Sequence, residues 1–365
     1  MKKALRRPEL WKIGTAVVAG LAGKELLARA READLTGQVA LVTGGSRGLG
    51  IAIARELAAA GCRLAICARN AEELEFAASE LRANGTEVVA ITCDVANEDE
   101  VNAMVEEVMA HYGQIDLLFT VAGIIEIGPV ETHTIAHYRQ AMDVMFWGTL
   151  YPIMAVLPGM RARRSGRIAT ITSIGGRLSV PHLLPYSAAK FAATGLSEGL
   201  AAELANDGIK VTTVIPGLMR TGGHLQAQFA GSDRQQHQDY VWFALGGTSP
   251  LVPDAARSAR IIVRAVRRGD PVCTFSLPFS LASRFHGLAP ATTVRLMRLA
   301  DALLPSHTAD QPEPTSPGKA LDPSIDLPGF RFATTLGRKA AHSFNQHAGD
   351  DPPATPTDQE PDSAP

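Results

Sequence analysis

A tyrosine and a lysine four residues apart are the residues of this chain best suited to proton transfer. Tyr186 and Lys190 are one helical turn apart, so both side chains face the same side of a helix. The free pKa of a phenol is ~10, and a neighbouring ammonium lowers it by stabilising the phenolate. Such a tyrosine can give a proton to a carbonyl oxygen or take one from an alcohol. An ordinary Tyr–Lys pair on a helix surface is the alternative.

A glycine-rich turn, Thr43–Gly50, follows the first apolar run of the chain. Gly44 permits a tight turn, Gly48 lets the backbone approach a diphosphate, and Gly50 lets a helix pack closely on the preceding strand. The backbone N–H groups and the dipole of that helix favour phosphate groups. The pattern therefore predicts a dinucleotide site, since a plain strand-to-helix turn needs only about one glycine.

Two arginines indicate which dinucleotide binds. The second apolar run ends at Ala68-Arg69, where a site for NAD would carry Asp or Glu to bind the ribose 2′-hydroxyl. Arg69, and Arg47 in the glycine turn, instead supply guanidinium groups that suit a 2′-phosphate. We therefore predict NADP (NADPH) as the cofactor. The alternative is that both arginines are solvated surface residues.

Short apolar runs alternate with longer amphipathic segments between Gly37 and Phe275. Most runs are continuous, which is typical of strands buried on both faces of a parallel sheet. The alternation predicts an α/β fold, a Rossmann-type doubly wound parallel sheet of about seven strands with helices on both faces. The predicted strands are 39–42, 63–67, 87–92, 115–121, 167–172, 210–215 and 272–275, and the predicted helices are 48–60, 71–84, 98–112, 134–163, 186–207 and 254–268.

Composition divides the rest of the chain into flanking segments. An amphipathic helix is predicted around residues 290–304, and Pro, Asp, Ser and Thr become frequent after Pro305. The predicted organisation is a helical N-terminal extension (1–34), an NADP-binding domain (35–275), a C-terminal helical segment (276–308) and a Pro-rich, largely disordered tail (309–365).

The N-terminal extension leaves three interpretations open. Its apolar stretch from Ile13 to Gly23 is too short for a membrane-spanning helix, which needs ~20 residues. We favour a surface helix packed on the domain, followed by a helix in the membrane interface. A signal peptide conflicts with a cytoplasmic cofactor. We therefore predict a cytoplasmic protein and leave weak membrane association through the termini as the alternative.

These motifs together resemble the short-chain dehydrogenase/reductase family, over about Leu35 to Phe275. Thr43–Gly50 matches the family's TGxxxGxG motif, and the segment from Tyr186 to Lys190 matches its YxxxK motif. Ser173 precedes Tyr186 by 13 residues, the family's usual separation for the catalytic serine. The resemblance implies that Ser173, Tyr186 and Lys190 are catalytic, with Ser173 donating a hydrogen bond to the substrate oxygen.

Two further motifs extend the resemblance to the cofactor. Asp94-Val95 resembles the pair beside the adenine, and Pro216-Gly217 with Thr221 resembles the segment beside the nicotinamide. The cofactor contacts predicted from the turn, the arginines and the resemblance are Gly44, Ser46, Arg47, Gly48, Leu49, Gly50, Arg69, Asp94, Val95, Ala122, Gly123, Tyr186, Lys190, Pro216, Gly217 and Thr221.

The chain departs from the family pattern at two places. The family's NNAG motif is here Thr120-Val121-Ala122-Gly123, which keeps the Ala-Gly but lacks both asparagines. Met145 stands where the family carries an asparagine that completes a catalytic tetrad. A thioether cannot organise water as an amide does, so Met145 removes one support of the proton relay that the family implies, while the triad of Ser173, Tyr186 and Lys190 stands.

Several functional classes are disfavoured by composition. The net charge is −2 and no basic stripe with aromatics occurs, so no nucleic-acid partner is predicted. The four cysteines lack paired spacing, and His133 and His137 have no third ligand near them in the sequence. We therefore predict no metal site and interpret these two histidines as part of a solvated helix face. His182 is interpreted as a structural or surface residue.

The predicted function is an NADP-dependent oxidoreductase that transfers a hydride between the nicotinamide and a ketone or secondary alcohol, with Tyr186 as acid/base. Aromatic and aliphatic residues between Leu218 and Leu251 predict a partly apolar substrate. Members of this family commonly pair their long fourth and fifth helices between subunits, so the resemblance implies a homodimer or homotetramer. The rival is a non-catalytic NADP-binding sensor or scaffold, which Met145 and Thr120-Val121 favour.

Overall fold

The computed structural model describes residues 32–250, 252–305 and 315–346 of the chain. Ten strands occur in this part: β1 (Val39–Thr43), β2 (Arg63–Ala68), β3 (Val88–Thr92), β4 (Leu117–Thr120), β5 (Glu126–Ile127), β6 (Gly166–Ile171), β7 (Ile209–Val214), β8 (Gln228–Phe229), β9 (Val272–Cys273) and β10 (Ser316–Pro317). Seven of them form a parallel sheet in the order β3-β2-β1-β4-β6-β7-β9. The predicted doubly wound sheet is confirmed, and each predicted strand end lies within two residues of the observed one.

The strand order changes direction at β1. This strand pairs in parallel with β2 on one side and with β4 on the other. In open sheets of this kind, ligands bind in the crevice outside the carboxyl ends of the strands at such a switch point. The glycine turn after β1 and the Thr120–Gly123 segment at the end of β4 therefore meet at the expected binding crevice.

Thirteen helices surround the strands in the described part of the chain. They are α1 (Gly48–Ala59), α2 (Ala71–Ala83), α3 (Glu98–Tyr112), α4 (Ile135–Met142), α5 (Gly148–Arg163), α6 (Leu184–Glu203), α7 (Asp233–Thr248), α8 (Ala255–Arg268), α9 (Leu277–Leu288), α10 (Pro290–Asp301), α11 (Gly318–Leu321), α12 (Phe330–Ala333) and α13 (Thr335–Ser343). Apolar residues of α1, α2 and α8 form one core with the sheet, and those of α3, α5 and α6 form another. The sheet is thus covered on both faces, which explains why its strands read as continuous apolar runs.

The helix predicted over residues 134–163 is divided by a turn of π-helix. Asp143–Trp147 forms this turn between α4 and α5, and the Thr149 hydroxyl donates to the Met145 carbonyl there. In the described residues the run Ile135–Arg163 is long and apolar enough to cross a membrane, but half of its most apolar window is buried inside the protein. That burial is expected of a core helix. Insertions of π-helix often occur at functional sites, and this one holds Met145.

A second, smaller sheet was not predicted. It has the order β10-β8-β5 and packs with α7 and the C-terminal helices around its own apolar cluster. The cluster includes the buried residues Ile127, Phe229, Tyr240, Leu321 and Phe330. This layer joins residues 227–244 to the C-terminal residues Leu321 and Phe330.

The predicted disordered tail is wrong for residues 315–346. They form β10, α11, α12 and α13, and Phe330 and Phe344 are buried. Pro and polar residues dominate this region, but a few apolar side chains at suitable spacing are sufficient once another layer covers them. The predictions for residues 1–31 and 347–365 lie outside the described residues.

Candidate active site

Ser173, Tyr186 and Lys190 lie together at the carboxyl end of the main sheet. Ser173 is the second residue after the end of β6, and Tyr186 and Lys190 lie in the first two turns of α6. The Ser173 hydroxyl lies near enough to the Tyr186 phenol to lower its pKa by hydrogen bonding, and the Lys190 Nζ lies 5.9 Å from the centre of the Tyr186 ring. Ser173 and Lys190 are buried. The fold therefore brings the three predicted catalytic residues into one site.

Two glycines allow this close arrangement, and sequence reasoning missed both. A Cβ on Gly175 would lie 3.0 Å from the Tyr186 ring, and one on Gly176 would lie 2.5 Å from the Lys190 carbonyl oxygen. The loop that carries Ser173 can approach α6 only because side chains are absent there. The run Ile174-Gly175-Gly176 could have indicated a close approach of the backbone to another element. The sequence does not show that this element is α6.

Burial shifts the pKa of both titrating residues. It raises the pKa of Tyr186 above its usual value, and the hydrogen bond with Ser173 acts in the opposite direction. It lowers the pKa of Lys190 to about 8. The Lys190 ammonium donates a hydrogen bond to the Ile171 carbonyl at 2.8 Å rather than to the phenol. The loss of hydration on burial therefore raises the pKa of Tyr186 in this structure, in contrast to the lowering expected from the neighbouring ammonium.

The glycine turn after β1 has the geometry that the sequence predicts. A Cβ on Gly50 would lie 1.9 Å from the Gly44 carbonyl oxygen, and one on Gly44 would lie 2.9 Å from the Ala122 backbone. Neither position can hold a side chain. The first residue of α1 is Gly48, so the first N–H groups of that helix, which have no acceptor within the helix, belong to this turn. The turn therefore fits the diphosphate of a dinucleotide.

The altered NNAG segment still joins this turn. The Thr43 hydroxyl oxygen accepts hydrogen bonds from the N–H groups of Val121 at 3.1 Å and Ala122 at 3.4 Å. A Cβ on Gly123 would lie 3.7 Å from both the Lys190 Nζ and the Met145 Cγ. Met145, which replaces the family's asparagine, is thus buried beside Lys190. The backbone of this segment keeps its position without either asparagine.

The predicted nicotinamide segment lies next to the catalytic residues. The Pro216 carbonyl accepts a hydrogen bond from the Ile174 N–H at 2.8 Å, and the Thr221 hydroxyl accepts one from the Gly223 N–H at 3.1 Å. The Phe279 ring of α9 packs so closely that a Cβ on Gly217 would lie 1.9 Å from it. Helix α9, which lies within the predicted C-terminal helical segment, therefore reaches the edge of the site.

The two predicted 2′-phosphate ligands differ in their surroundings. Arg69 is exposed after β2. Arg47 forms an ion pair, with its Nη1 3.1 Å from both carboxylate oxygens of Glu73. Sequence reasoning missed Glu73 because it lies in the first turn of α2, beyond the strand end where an acidic residue was sought. An acidic residue is therefore present in this region after all, and Arg47 neutralises it.

The predicted adenine contacts lie after β3. The Asp94 carboxylate accepts a hydrogen bond from the Ala96 N–H at 3.0 Å, which fixes the turn into α3. Val95 is buried, and a Cβ on Gly148 would lie 2.7 Å from its side chain. The two residues stand at the carboxyl end of a strand on the glycine-turn side of the sheet.

Comparisons with known proteins agree with this geometry. Residues 38–228 match the family profile described as short chain dehydrogenase. A putative ketoacyl reductase of granaticin polyketide synthase from Streptomyces violaceoruber is 39% identical over 185 residues, which cover 50% of this chain and 68% of that protein. Dehydrogenase/reductase SDR family member 7B from Mus musculus is 32% identical over 279 residues, covering 74% of this chain and 84% of that protein.

A solved structure shows the same architecture. The crystal structure of a short-chain dehydrogenase from Streptomyces avermitilis superposes with a TM-score of 0.63 at 31% identity. The match covers 73% of this chain and 98% of that one. The chain belongs to the short-chain dehydrogenase/reductase family. It is an NAD(P)-dependent oxidoreductase that acts on CH–OH or C=O groups.

An unexpected contact lies at the glycine turn of this short-chain dehydrogenase/reductase. The Gly48 N–H donates a hydrogen bond to the Phe344 carbonyl at 2.7 Å, and the Asn345 amide donates to the Ser46 carbonyl at 3.1 Å. Residues 344–346 thus lie on the turn that fits the diphosphate. Nothing in the sequence of these residues indicates this position.

The histidines differ from their predicted roles. His133 is buried, with Nδ1 3.3 Å from Glu126 Oε1 and Nε2 3.0 Å from the Gly128 carbonyl oxygen. The solvated helix face is therefore wrong for His133. His137 Nδ1 lies 2.7 Å from the same Glu126 oxygen, and the three groups are close enough to hold a metal ion. His182 is buried and its Nδ1 lies 3.0 Å from Asp239, as expected for a structural residue.

Proposed function

We propose that this short-chain dehydrogenase/reductase reduces a partly apolar ketone with NADPH, and that Tyr186 supplies the proton. The observation that carries the proposal is the convergence of Ser173, Tyr186 and Lys190 beside the crevice of the glycine turn. Three polar side chains of complementary chemistry meet there in a largely buried site, which is the arrangement expected of a proton-transfer centre.

Each side chain has a distinct role in the proposed reaction. When bound, NADPH supplies a hydride to the carbonyl carbon. Tyr186 gives its phenolic proton to the carbonyl oxygen, on which negative charge develops. The Ser173 hydroxyl donates a hydrogen bond to that oxygen, and the positive charge of Lys190 stabilises the phenolate that remains. Alcohol oxidation uses the same groups in reverse, with the phenolate as base.

The pKa of Tyr186 favours reduction over oxidation near neutral pH. Because burial raises this pKa, the phenol keeps its proton and is ready to donate it. Oxidation needs the phenolate, which is scarce under these conditions. The reductive direction is also the one named in relatives such as the ketoacyl reductases.

Two cations support NADPH over NADH. Arg69 is exposed after β2, and Arg47 is within the glycine turn itself. The carboxylate of Glu73 disfavours a 2′-phosphate only when Arg47 does not neutralise it. A 2′-phosphate would draw Arg47 away from Glu73, so the preference for NADPH depends on the balance between these charges.

Apolar side chains near the nicotinamide segment support a partly apolar substrate. Leu218, Trp242 and Leu245 are each more than a third exposed although they are large apolar residues. Leu218 lies close to α7, where a Cβ on Gly246 would be 3.5 Å from its Cδ1. Phe279 packs on Gly217 from α9. Exposed apolar surface around a cleft is a common site for an apolar ligand.

A substrate panel tests the proposed function. The protein is mixed with NADPH or NADH and with ketones of increasing chain length, and the decrease in cofactor absorbance is followed. We expect turnover with NADPH and a kcat/KM that rises with chain length. Binding of NADPH without turnover of any ketone or alcohol would favour the sensor or scaffold instead. Turnover of only small charged keto acids or sugars would contradict the apolar substrate.

We propose weak attachment to membranes through the hairpin of α9 and α10. Its large apolar side chains are unusually exposed, with Leu277 72% and Leu288 86% exposed on α9 and Leu299 66% exposed on α10. Arg284, Arg295 and Arg298 of the hairpin would favour anionic lipid. Flotation with anionic vesicles, with and without leucine-to-serine changes at these three positions, tests this attachment.

We propose a homodimer or homotetramer formed through the helices at α4 to α6. Large apolar residues are exposed along this part of the surface: Ile135 at 67%, Met154 at 54% and Phe191 at 41%. Apolar groups exposed together are typical of a contact with another subunit. Sedimentation at several concentrations tests this, and a monomer at all of them would contradict it.

A further inference from the structure

The last described residues of the chain lie on the glycine turn. The Phe344 carbonyl accepts the Gly48 N–H hydrogen bond at 2.7 Å. The Gln346 Nε2 lies 2.5 Å from the position that a Cβ on Gly48 would take. The space that glycine leaves open beside the start of α1 is therefore filled by the protein's own chain.

This contact uses the donor that a phosphate needs. The first N–H groups of a helix have no partner within the helix, and for this reason they bind phosphate oxygens. At 2.7 Å the Phe344 oxygen occupies the acceptor position of the Gly48 N–H, so a phosphate oxygen cannot reach the same hydrogen. The C-terminal residues and a bound diphosphate exclude each other at Gly48.

Several side-chain contacts hold the segment in place. The Asn345 amide donates to the Ser46 carbonyl at 3.1 Å, and the Arg55 guanidinium donates to the Ser343 carbonyl at 2.6 Å. The same guanidinium lies 5.7 Å from the centre of the Phe344 ring. Phe344, Asn345 and Gln346 are each at least nine-tenths buried. The segment is thus seated by specific contacts from three residues of the turn and of α1.

A separate anchor tethers the segment upstream. Asp322 forms an ion pair with Arg338 of α13 and accepts a hydrogen bond from the Tyr240 hydroxyl. A Cβ on Gly337 would lie 2.0 Å from Thr248, so α13 also packs tightly on the end of α7. None of these contacts involves the glycine turn. If residues 344–346 left the turn, these contacts would still hold α13.

We propose that residues 344–346 are a tethered competitor for the cofactor's diphosphate and must leave Gly48 before the cofactor binds. The proposal rests on the proposed function, because it takes the glycine turn to be the cofactor site. A tethered competitor has a high effective concentration at its site. The apparent dissociation constant of the cofactor is then the intrinsic constant divided by the fraction of molecules whose turn is open. The chain thereby lowers its own affinity for the cofactor.

Two truncated chains separate the segment from the rest of the C-terminus. One ends at Ser343 and lacks the competitor, and the other ends at Gln346 and keeps it. NADPH is titrated into each, and binding is followed by cofactor fluorescence. We expect the chain ending at Ser343 to bind NADPH at least about tenfold more tightly, which corresponds to an open fraction of about one in ten in the full chain. The chain ending at Gln346 should bind like the full chain.

A substitution gives an independent test that leaves the chain length unchanged. Phe344→Ala removes the buried ring that seats the segment and should strengthen NADPH binding, whereas Phe332→Ala, at an 88% exposed position in α12, should not. Amide hydrogen exchange in residues 340–346 should become faster when NADPH is added. This second readout reports on release of the segment and not on turnover.

The outcomes are distinguishable. Equal or weaker NADPH binding by the folded chain ending at Ser343 and by Phe344→Ala would overturn the competitor, while binding itself would leave the proposed function standing. If the shorter chain does not fold, Phe344→Ala with its exchange data decides the question. If the full chain and every variant bind neither NADPH nor NADH, the proposed function fails together with this inference.

Discussion

The two ends of the crevice differ in how far their groups are already arranged for the proposed reaction. At the proposed catalytic end, the Ser173 hydroxyl already lies near the Tyr186 phenol, and the buried Lys190 ammonium lies 5.9 Å from the centre of the phenol ring. At the cofactor end, the Gly48 N–H is bound to Phe344, and Arg47 is bound to Glu73. The catalytic end is preorganised, whereas the proposed cofactor end must exchange contacts within the chain for contacts with a ligand.

This difference separates the expected effects of substitutions. Changes at the catalytic end should alter turnover or its pH dependence much more than they alter cofactor affinity, even though Tyr186 and Lys190 are also predicted cofactor contacts. Changes at the cofactor end should alter affinity without altering the chemical step. A substitution with both effects would show that the two ends are coupled.

Replacing the proposed proton donor should have the largest effect. Tyr186→Phe keeps the ring and removes the hydroxyl, so kcat should decrease by about 10²- to 10⁴-fold, the usual contribution of a general acid. NADPH binding measured by fluorescence should change far less than kcat. Tyr151→Phe, in which the hydroxyl is lost from a tyrosine stacked on Trp147, is the matched control. Full activity of Tyr186→Phe would remove this residue from the mechanism.

The pH dependence of reduction should reflect Lys190. Because burial lowers its pKa to about 8, Lys190 loses its positive charge above that pH and no longer stabilises the phenolate. We expect kcat/KM for ketone reduction to be level below pH about 8 and to decrease about tenfold per pH unit above it. Tyr186, whose pKa is raised, loses its proton only at a higher pH. A profile that stays level to pH ~10 would contradict the role of Lys190.

The same lysine should cost the fold stability at neutral pH. Burial disfavours the charged form of Lys190, so its pKa is lower in the folded state than in the unfolded state. The folded state therefore gains stability as the pH rises from about 8 towards the pKa of this lysine in the unfolded chain. Lys190→Met should raise the free energy of unfolding at neutral pH by about 2 kcal/mol, after allowance for the lost hydrogen bond to Ile171.

Denaturant unfolding at two pH values checks this prediction. The difference between Lys190→Met and the natural chain should become small above pH ~10, where the free lysine also loses its charge. A variant that is less stable than the natural chain at neutral pH would show that the hydrogen bond from Lys190 outweighs the cost of burying its charge. The variant should also lose turnover, as expected of a catalytic group that is held at a cost to stability.

The smallest expected effect is at Arg47. Glu73→Gln removes the carboxylate that pairs with this arginine and should strengthen NADPH binding relative to NADH by about two- to fivefold, in keeping with the strength of a partly exposed ion pair. Glu75→Gln is the matched control, because Glu75 lies on the same helix and pairs with Arg82. An equal change for both cofactors would mean that Arg47 does not contact the 2′-phosphate.

The parts of the fold that could be predicted depend on local sequence patterns. Continuous apolar runs indicated all seven strands of the main sheet, because successive residues of a strand that is buried on both faces are mostly apolar. The small sheet of β5, β8 and β10 was missed because each of its strands has only two residues, at least one of them polar, whereas the two residues of β9 lie in an apolar run. Helix α7 was missed as well, since its mixed polar and apolar residues, such as Gln235 and Trp242, form no regular stripe.

The sequence by itself determined the glycine turn, the order of the elements and the spacing of Tyr186 and Lys190, because each depends on residues that are neighbours along the chain. Only the tertiary structure decided that Phe344 lies on Gly48, that Glu73 holds Arg47 and that burial raises the pKa of Tyr186. These contacts join residues far apart in the chain, as Ser46 and Asn345 show, and burial is a property of the whole fold. Neither long-range contacts nor burial can be seen in a local sequence pattern. The position of Phe344 on the glycine turn is therefore visible only in the folded protein.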